Sequence, residues 1–162
     1  MIFNPKSFGA KADGSHDDTN AIQQAIDKAF FSGGGRIVLK NGVFLSGTIY
    51  LKSNISLEID ASACLLASPD INSYGSDTHH NRYRNEPELD RCFIFAENAD
   101  NIELCGNGII NGNAEFFPNS NNIYRPMMIR FLNCRNIRLH DLRLYNSAAW
   151  TTAFLDSERI FI

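Results

Sequence analysis

Arg125-Pro-Met-Met-Ile-Arg-Phe-Leu-Asn-Cys-Arg-Asn-Ile-Arg-Leu-His-Asp-Leu-Arg-Leu-Tyr-Asn-Ser-Ala-Ala-Trp150 sets its apolar residues two apart: Ile129 with Phe131, Ile137 with Leu139, Leu142 with Leu144. A period of two is that of a β-strand with one face buried. Each pair brackets an arginine (Arg130, Arg138, Arg143) that the alternation turns outward. Each strand lasts only about three to five residues before a polar break. Short strands with brief turns predict a chain that coils.

Working outward, the plan of Arg135-Asn136-Ile137-Arg138-Leu139 recurs in Ser53-Asn54-Ile55-Ser56-Leu57, Asp100-Asn101-Ile102-Glu103-Leu104 and Glu158-Arg159-Ile160-Phe161-Ile162. Positions 54, 101, 136 and 159 are separated by 47, 35 and 23 residues. The shortest interval is one coil; the longer ones are a coil plus an insertion, or two coils. Asparagine at a repeated turn tolerates the left-handed conformation and can bond its equivalents above and below. The expected fold is therefore all-β, a right-handed parallel β-helix. At roughly 4.8 Å per coil, about five coils would stand ~24 Å tall.

One helix is expected, near the N-terminus. Asp17, Asp18 and Thr19 are N-cap residues, and Ala21, Ile22, Ala25, Ile26, Ala29 and Phe30 form an apolar stripe. Gln23, Gln24, Asp27 and Lys28 would face water, and Gly33-Gly34-Gly35 ends the helix. A capping helix within residues 17–32 would cover the first coil, whose open end otherwise exposes unpaired backbone and apolar interior. Strands are expected at Arg36–Leu39, Val43–Leu45, Thr48–Leu51 and Ile55–Ile59.

The 162 residues suit a single domain, and a formal charge of -3 argues against nucleic-acid and anionic-membrane partners. Met1 leads into Ile-Phe-Asn-Pro without a basic start and apolar run, so the expected location is cytoplasmic if this N-terminus is native, and secreted or periplasmic if a signal peptide has been removed. Cys64, Cys92, Cys105 and Cys134 have no Cys-x-x-Cys spacing and sit where small apolar residues fit; they read as structural thiols, with disulfides and metal ligation as alternatives.

Two polar insertions interrupt the coils, residues 69–91 and 113–124. The first is too long for a plain connection and reads as functional or mobile.

Phe8-Gly-Ala-Lys-Ala-Asp-Gly followed by Asp17-Asp18-Thr19 resembles the opening of pectin-acting β-helix proteins and of phage tail-spike domains. Thr48-Ile-Tyr-Leu-Lys-Ser-Asn-Ile-Ser-Leu, Gly106-Asn-Gly-Ile-Ile-Asn-Gly112 and Arg125-Pro-Met-Met-Ile-Arg-Phe through Asn146-Ser-Ala-Ala-Trp150 together resemble glycoside hydrolase family 28, the polygalacturonases. The resemblance implies inverting hydrolysis of α-1,4-galacturonic acid linkages in pectin or oligogalacturonides, with no metal or organic cofactor. Inversion needs carboxyl groups roughly 6.5 to 9.5 Å apart. The family carries them on an Asn-Thr-Asp-Gly segment and a following Asp-Asp pair, then Gly-His-Gly and Arg-Ile-Lys motifs. That series does not occur here, so no catalytic residue is assigned, and the chain corresponds to the N-terminal portion of such an enzyme, expected to be inactive alone. Asp141, Asp156 and Glu158 read as solvated turn carboxylates. At Ala153, three residues after Trp150, many relatives carry a histidine.

A polyuronate presents one carboxylate per sugar, which calls for forked cations and aromatic faces. Arg82, Arg84 and Arg125 are the candidate substrate-binding residues, with Tyr83 between the first two. A solvated loop for Arg82 and Arg84, and turn hydrogen bonds for Arg125, are the competing roles. His79 and His80 beside Asp77 lack a third ordered ligand for a metal. Phe116, Phe117 and Tyr124 could stack on sugar or pack across a coil edge. Trp150 is expected in the core or a seam. Arg130, Arg138 and Arg143 would lie on different faces, solvated. The alternative function is a non-catalytic β-helix module that binds polysaccharide or self-associates through its C-terminal coil; a calcium-dependent lyase would need an acidic cluster the sequence lacks.

Overall fold

The computed structural model describes residues 1–78, 90–118 and 124–162. Asn54, Asn101 and Asn136 all have left-handed backbone, with φ of 63°, 59° and 52°. Each turns the chain from one strand into the next at the same corner of a coil. Their side chains join vertically: Asn101 Nδ2 donates to Asn54 Oδ1 at 2.8 Å, and Asn136 Nδ2 to Asn101 Oδ1 at 3.0 Å. Arg159, also left-handed, tops the ladder by donating to Asn136 Oδ1 at 3.4 Å. Gly34 is its lowest rung, where φ is 118° and a Cβ would overlap Asn54 from below.

The chain opens with β1 (Ile2–Phe3), β2 (Asp13–Asp17) and α1 (Thr19–Phe31). It then runs β3 (Gly35–Leu39), β4 (Gly42–Ser46), β5 (Ile49–Tyr50), β6 (Ile55–Ile59), β7 (Ala63–Ala67) and β8 (Cys92–Glu97). The later coils are β9 (Asp100–Cys105), β10 (Ile109–Asn111), β11 (Met127–Leu132), β12 (Arg135–Leu139), β13 (Arg143–Tyr145), β14 (Thr152–Leu155) and β15 (Glu158–Phe161). From β3 onward the chain visits three parallel sheets in turn. The first is ordered β1-β3-β6-β9-β12-β15, the second β13-β10-β7-β4-β2, the third β14-β11-β8-β5. The fold is the parallel β-helix that the repeat implies. Because β6 pairs directly with β9, the 47-residue interval is one coil with an insertion.

Register stacks like on like inside. Ile37, Leu57, Leu104 and Leu139 form one column, Phe44, Leu65, Ile110 and Leu144 a second, and Ile49, Ile94 and Ile129 a third. Nearly all are fully buried, each contributing about 1.5–3 kcal/mol of transfer free energy.

The helix takes the third-sheet position of the first coil, burying Ala21, Ile22, Ala25, Ile26 and Ala29. Three expectations about it are corrected. Gln23 does not face water: its amide accepts from Tyr50 N at 2.9 Å and donates to Tyr50 O at 3.1 Å, supplying the edge of β5 with the partner a further strand would give. Asp18 does not cap the helix with its side chain; it is buried, and its carboxylate accepts from Lys11 N and Ala12 N, tying down the preceding loop. Phe30 leaves the stripe and lies exposed beside Phe31.

Two outer positions also differ from expectation. Arg130 is 3% exposed although it points out of its sheet, because Thr78, at the outgoing end of the first insertion, lies over that side. Trp150 is 44% exposed, outside the core, because it precedes β14 in the turn that leads into the third sheet. Arg138 and Arg143 are exposed, and with Arg130 they occupy three different sheets. All four cysteines are free thiols, three of them buried. Among the described residues no helix is long and apolar enough to cross a membrane.

Candidate functional site

Both insertions arise at the same corner, between the second and third sheets, one coil above the other. The turn between β13 and β14 continues the line on the next coil. Parallel stacking therefore sets the described parts of three connections side by side, as one wall beside the outer face of the third sheet.

That face is a second, smaller apolar layer. Strand alternation turns Tyr50, Phe95, Arg130 and Ala153 outward in one row. Cys92, Phe95, Met127 and Ala153 pack together there, with Tyr50 and Ala149 against them. Tyr50 meets Phe95 edge to face at 6.1 Å and donates from its hydroxyl to Asp77 Oδ1 at 2.5 Å. Burial, reinforced by the Asp77 carboxylate, raises the Tyr50 pKa. Burial likewise pushes the Cys92 thiol up to about 12, against the opposing pull of the Arg130 charge.

Arg130 anchors the insertion to this face. It donates to the Thr78 carbonyl at 2.7 Å and to Met127 Sδ at 3.0 Å. Thr78, itself fully buried, donates from Oγ1 to the Asp90 carbonyl at 2.6 Å, pinning the outgoing and returning ends of the insertion together. The nearby Gly47 allows that approach, since a Cβ there would overlap the Ser73 carbonyl. Tyr74, edge to face with Phe93 and with Phe117, joins the two insertions through buried rings.

The rim is basic and aromatic. Arg91 pairs with Asp90 at 2.6 Å and lies 5.0 Å from the Tyr124 ring. Arg125 donates to the Ala148 carbonyl at 3.3 Å, so it braces the turn that carries Trp150. Backbone bonds from Met127 to Arg91 and from Met128 to Trp150 set these segments side by side. The buried side-chain atoms without a hydrogen-bond partner among the described residues, Asp90 Oδ1, Arg91 Nε and Arg125 Nε, all belong to this rim.

Of the sequence candidates, Arg125 reaches the rim. Arg82 and Arg84, with Tyr83, His79 and His80, lie outside the described residues. Phe117 packs inside, whereas Phe116 and Tyr124 are exposed. Asp141 and Asp156 occupy left-handed turn positions, and Glu158 is an exposed partner of Arg135. Sequence reasoning missed Tyr50, Asp77, Arg91 and Arg130 as parts of this surface. Only the alignment of both insertions at one corner could have flagged them.

The outer face of the first sheet carries a different chemistry. Arg36, Ser56, Glu103 and Arg138 form one vertical row, beside a groove of 570 Å³. Glu103, Cys105 and His140 bring three potential metal ligands together there. Hydrogen bonds to Asp141 and Glu103 raise the His140 pKa.

Comparison with known proteins places this geometry. The chain is 28% identical over 175 residues to the "Probable polygalacturonase" of Vitis vinifera, covering 96% of this chain and 34% of that protein. It is 36% identical over 121 residues to the exo-poly-alpha-D-galacturonosidase of Dickeya chrysanthemi, covering 69% of this chain and 19% of the relative. The chain thus spans about a third or less of these relatives' lengths. In fold it superposes on the family 28 exopolygalacturonase of Yersinia enterocolitica with a TM-score of 0.83 at 22% identity, across 99% of this chain and 37% of that one. Residues 2–149 match the family described as Rhamnogalacturonase A/epimerase, pectate lyase-like. With parallel coils, ladder and match running through nearly the whole chain, the protein belongs to this rhamnogalacturonase A/epimerase, pectate lyase-like family.

Proposed function

We propose that these coils are the N-terminal part of a polygalacturonase-like glycoside hydrolase, which cleaves α-1,4-galacturonic acid linkages in pectin or oligogalacturonides with inversion. The supporting observation is the wall of stacked insertions, which collects Arg91, Tyr124, Arg125 and Trp150 along one edge of the third sheet. Guanidinium groups in fork geometry suit the uronate carboxylates, and exposed rings suit the sugar faces. Arg82 and Arg84, carried on the first insertion, are assigned to the same substrate wall.

No acid and base for inversion are assigned among these residues, since the family's aspartate series does not occur in them. Hydrolysis of polygalacturonate, followed by reducing-sugar release, tests this. The 162 residues alone should give no turnover above buffer, and robust turnover would place the acids within them.

A second reading is a module that binds polysaccharide without cleaving it, or self-associates through β15. Sedimentation velocity tests the self-association, which requires a dimer at micromolar concentration and is excluded by a dilute stable monomer.

A further inference from the structure

The outer face of the first sheet holds a group of side chains for which the carbohydrate reading has no use. Alternation along β9 sends Glu103 and Cys105 out of the same face. Leu139 pairs with Leu104, and His140 follows at the end of β12, donating from its backbone to the Leu104 carbonyl at 3.1 Å. The imidazole therefore lies over Cys105, one coil away. A carboxylate oxygen of Glu103, the Cys105 sulfur and an imidazole nitrogen of His140 all fall within 4.8 Å of one another.

The ligand atoms are held in place by their neighbours. His140 Nδ1 faces Asp141 Oδ2 at 2.8 Å, and Nε2 faces Glu103 Oε1 at 3.2 Å. Asp141 holds the Nδ1 proton, so loss of the Nε2 proton on binding frees that nitrogen's lone pair, on the Glu103 side, for a metal. Asp141 can take this position because its left-handed backbone, φ 59°, turns the chain immediately after the histidine. Ser56 Oγ donates to Glu103 Oε2 at 2.6 Å, orienting the carboxylate, and lies 3.7 Å from Cys105 Sγ. Arg36, 4.0 Å from Glu103, opposes a cation, yet its guanidinium is engaged by Glu58 at 3.0 Å.

One sulfur, one nitrogen and one oxygen donor match a borderline-soft divalent ion such as zinc, whereas calcium or magnesium would require oxygen ligands throughout. We propose that Glu103, Cys105 and His140 form a zinc-type site, with Asp141 as a positioning residue. The ion would clamp two successive coils together, with Glu103 also lining the groove formed by Ser56, Asn136 and Arg138. Binding releases the Cys105 thiol proton, and the His140 proton where present, to solvent. This site is separate from the wall on the third sheet and stands or falls independently of the hydrolase reading.

Cobalt(II), then zinc, added to the reduced full chain provides the test. One equivalent of cobalt should bind with a thiolate-to-metal charge-transfer band, and zinc should displace it. Cys105→Ala should abolish the band, His140→Ala should weaken binding at least tenfold, and Asp141→Asn should weaken it by about tenfold. His79→Ala/His80→Ala and Cys64→Ala should leave it intact. Absence of the band, or its survival in Cys105→Ala, would overturn the proposal. Should Cys105→Ala fail to fold, alkylation of the unaltered chain decides: zinc must slow modification of Cys105, and equal rates with and without zinc refute the site.

Discussion

Asn101 Nδ2 donates to Asn54 Oδ1 at 2.8 Å across 47 residues of chain, and both residues have left-handed backbone. The contact joins two coils through an amide that its own turn conformation has already aimed along the helix axis. Replacing Asn101 with alanine removes the side-chain bonds to Asn54 and Asn136 and leaves a β-carbon in the left-handed region. At about 1–2 kcal/mol for the conformation and about 1 kcal/mol for each of the two bonds, the loss should be roughly 3–4 kcal/mol in urea denaturation. Asn101→Gly relieves the backbone term and should recover about half. Equal losses in the two variants would show that the turn conformation contributes nothing.

Arg130 is the second point of leverage. Its guanidinium is buried between the third sheet and the Thr78 carbonyl, so truncation leaves that carbonyl without its charged donor. Arg130→Ala should cost about 1–3 kcal/mol, the penalty of leaving the buried carbonyl unsatisfied. It should also accelerate amide exchange at Thr78 and Asp90 more than in the distant second sheet. Uniform acceleration throughout the chain would mean that Arg130 supports the whole fold and not the insertion.

Alkaline pH should weaken the fold through Cys92. The unfolded thiol ionises near its ordinary value of 9.0, while burial holds the native thiol protonated up to about 12. Between those values the unfolded state binds fewer protons, so stability falls as pH rises. Tyr50 and Tyr74, also raised by burial, add to the fall above pH 10. The urea midpoint should decline across pH 9 to 12, and Cys92→Ala should flatten the lower part of that slope. A slope unchanged by Cys92→Ala would remove the thiol from the explanation.

The ladder was legible in the sequence because asparagine at a recurring turn specifies both a backbone conformation and a hydrogen-bonding partner. The column residues were legible because a buried face needs strict alternation. Arg130 was not, since outward on a strand means solvated unless another segment arrives, and Thr78 reaches it only through three-dimensional stacking. Gln23 misled for a related reason: its position on the polar side of the helix places it beside the open edge of β5. Asp18 read as a cap, but the loop before the helix competes for the same carboxylate through Lys11 and Ala12. At the rim, Arg125 was found from its place before a strand, whereas Arg91 needed the partnership with Tyr124 to stand out.

Titration calorimetry of an oligogalacturonide against the 162-residue chain tests whether the wall beside the third sheet binds uronate. Binding should fall with added salt, be absent for a neutral oligosaccharide of equal length, and weaken about 10-fold or more in Arg125→Gln and in Arg82→Gln/Arg84→Gln, as loss of a charge-assisted hydrogen bond requires. Equal affinity for charged and neutral sugars, or unchanged affinity in those variants, would contradict it.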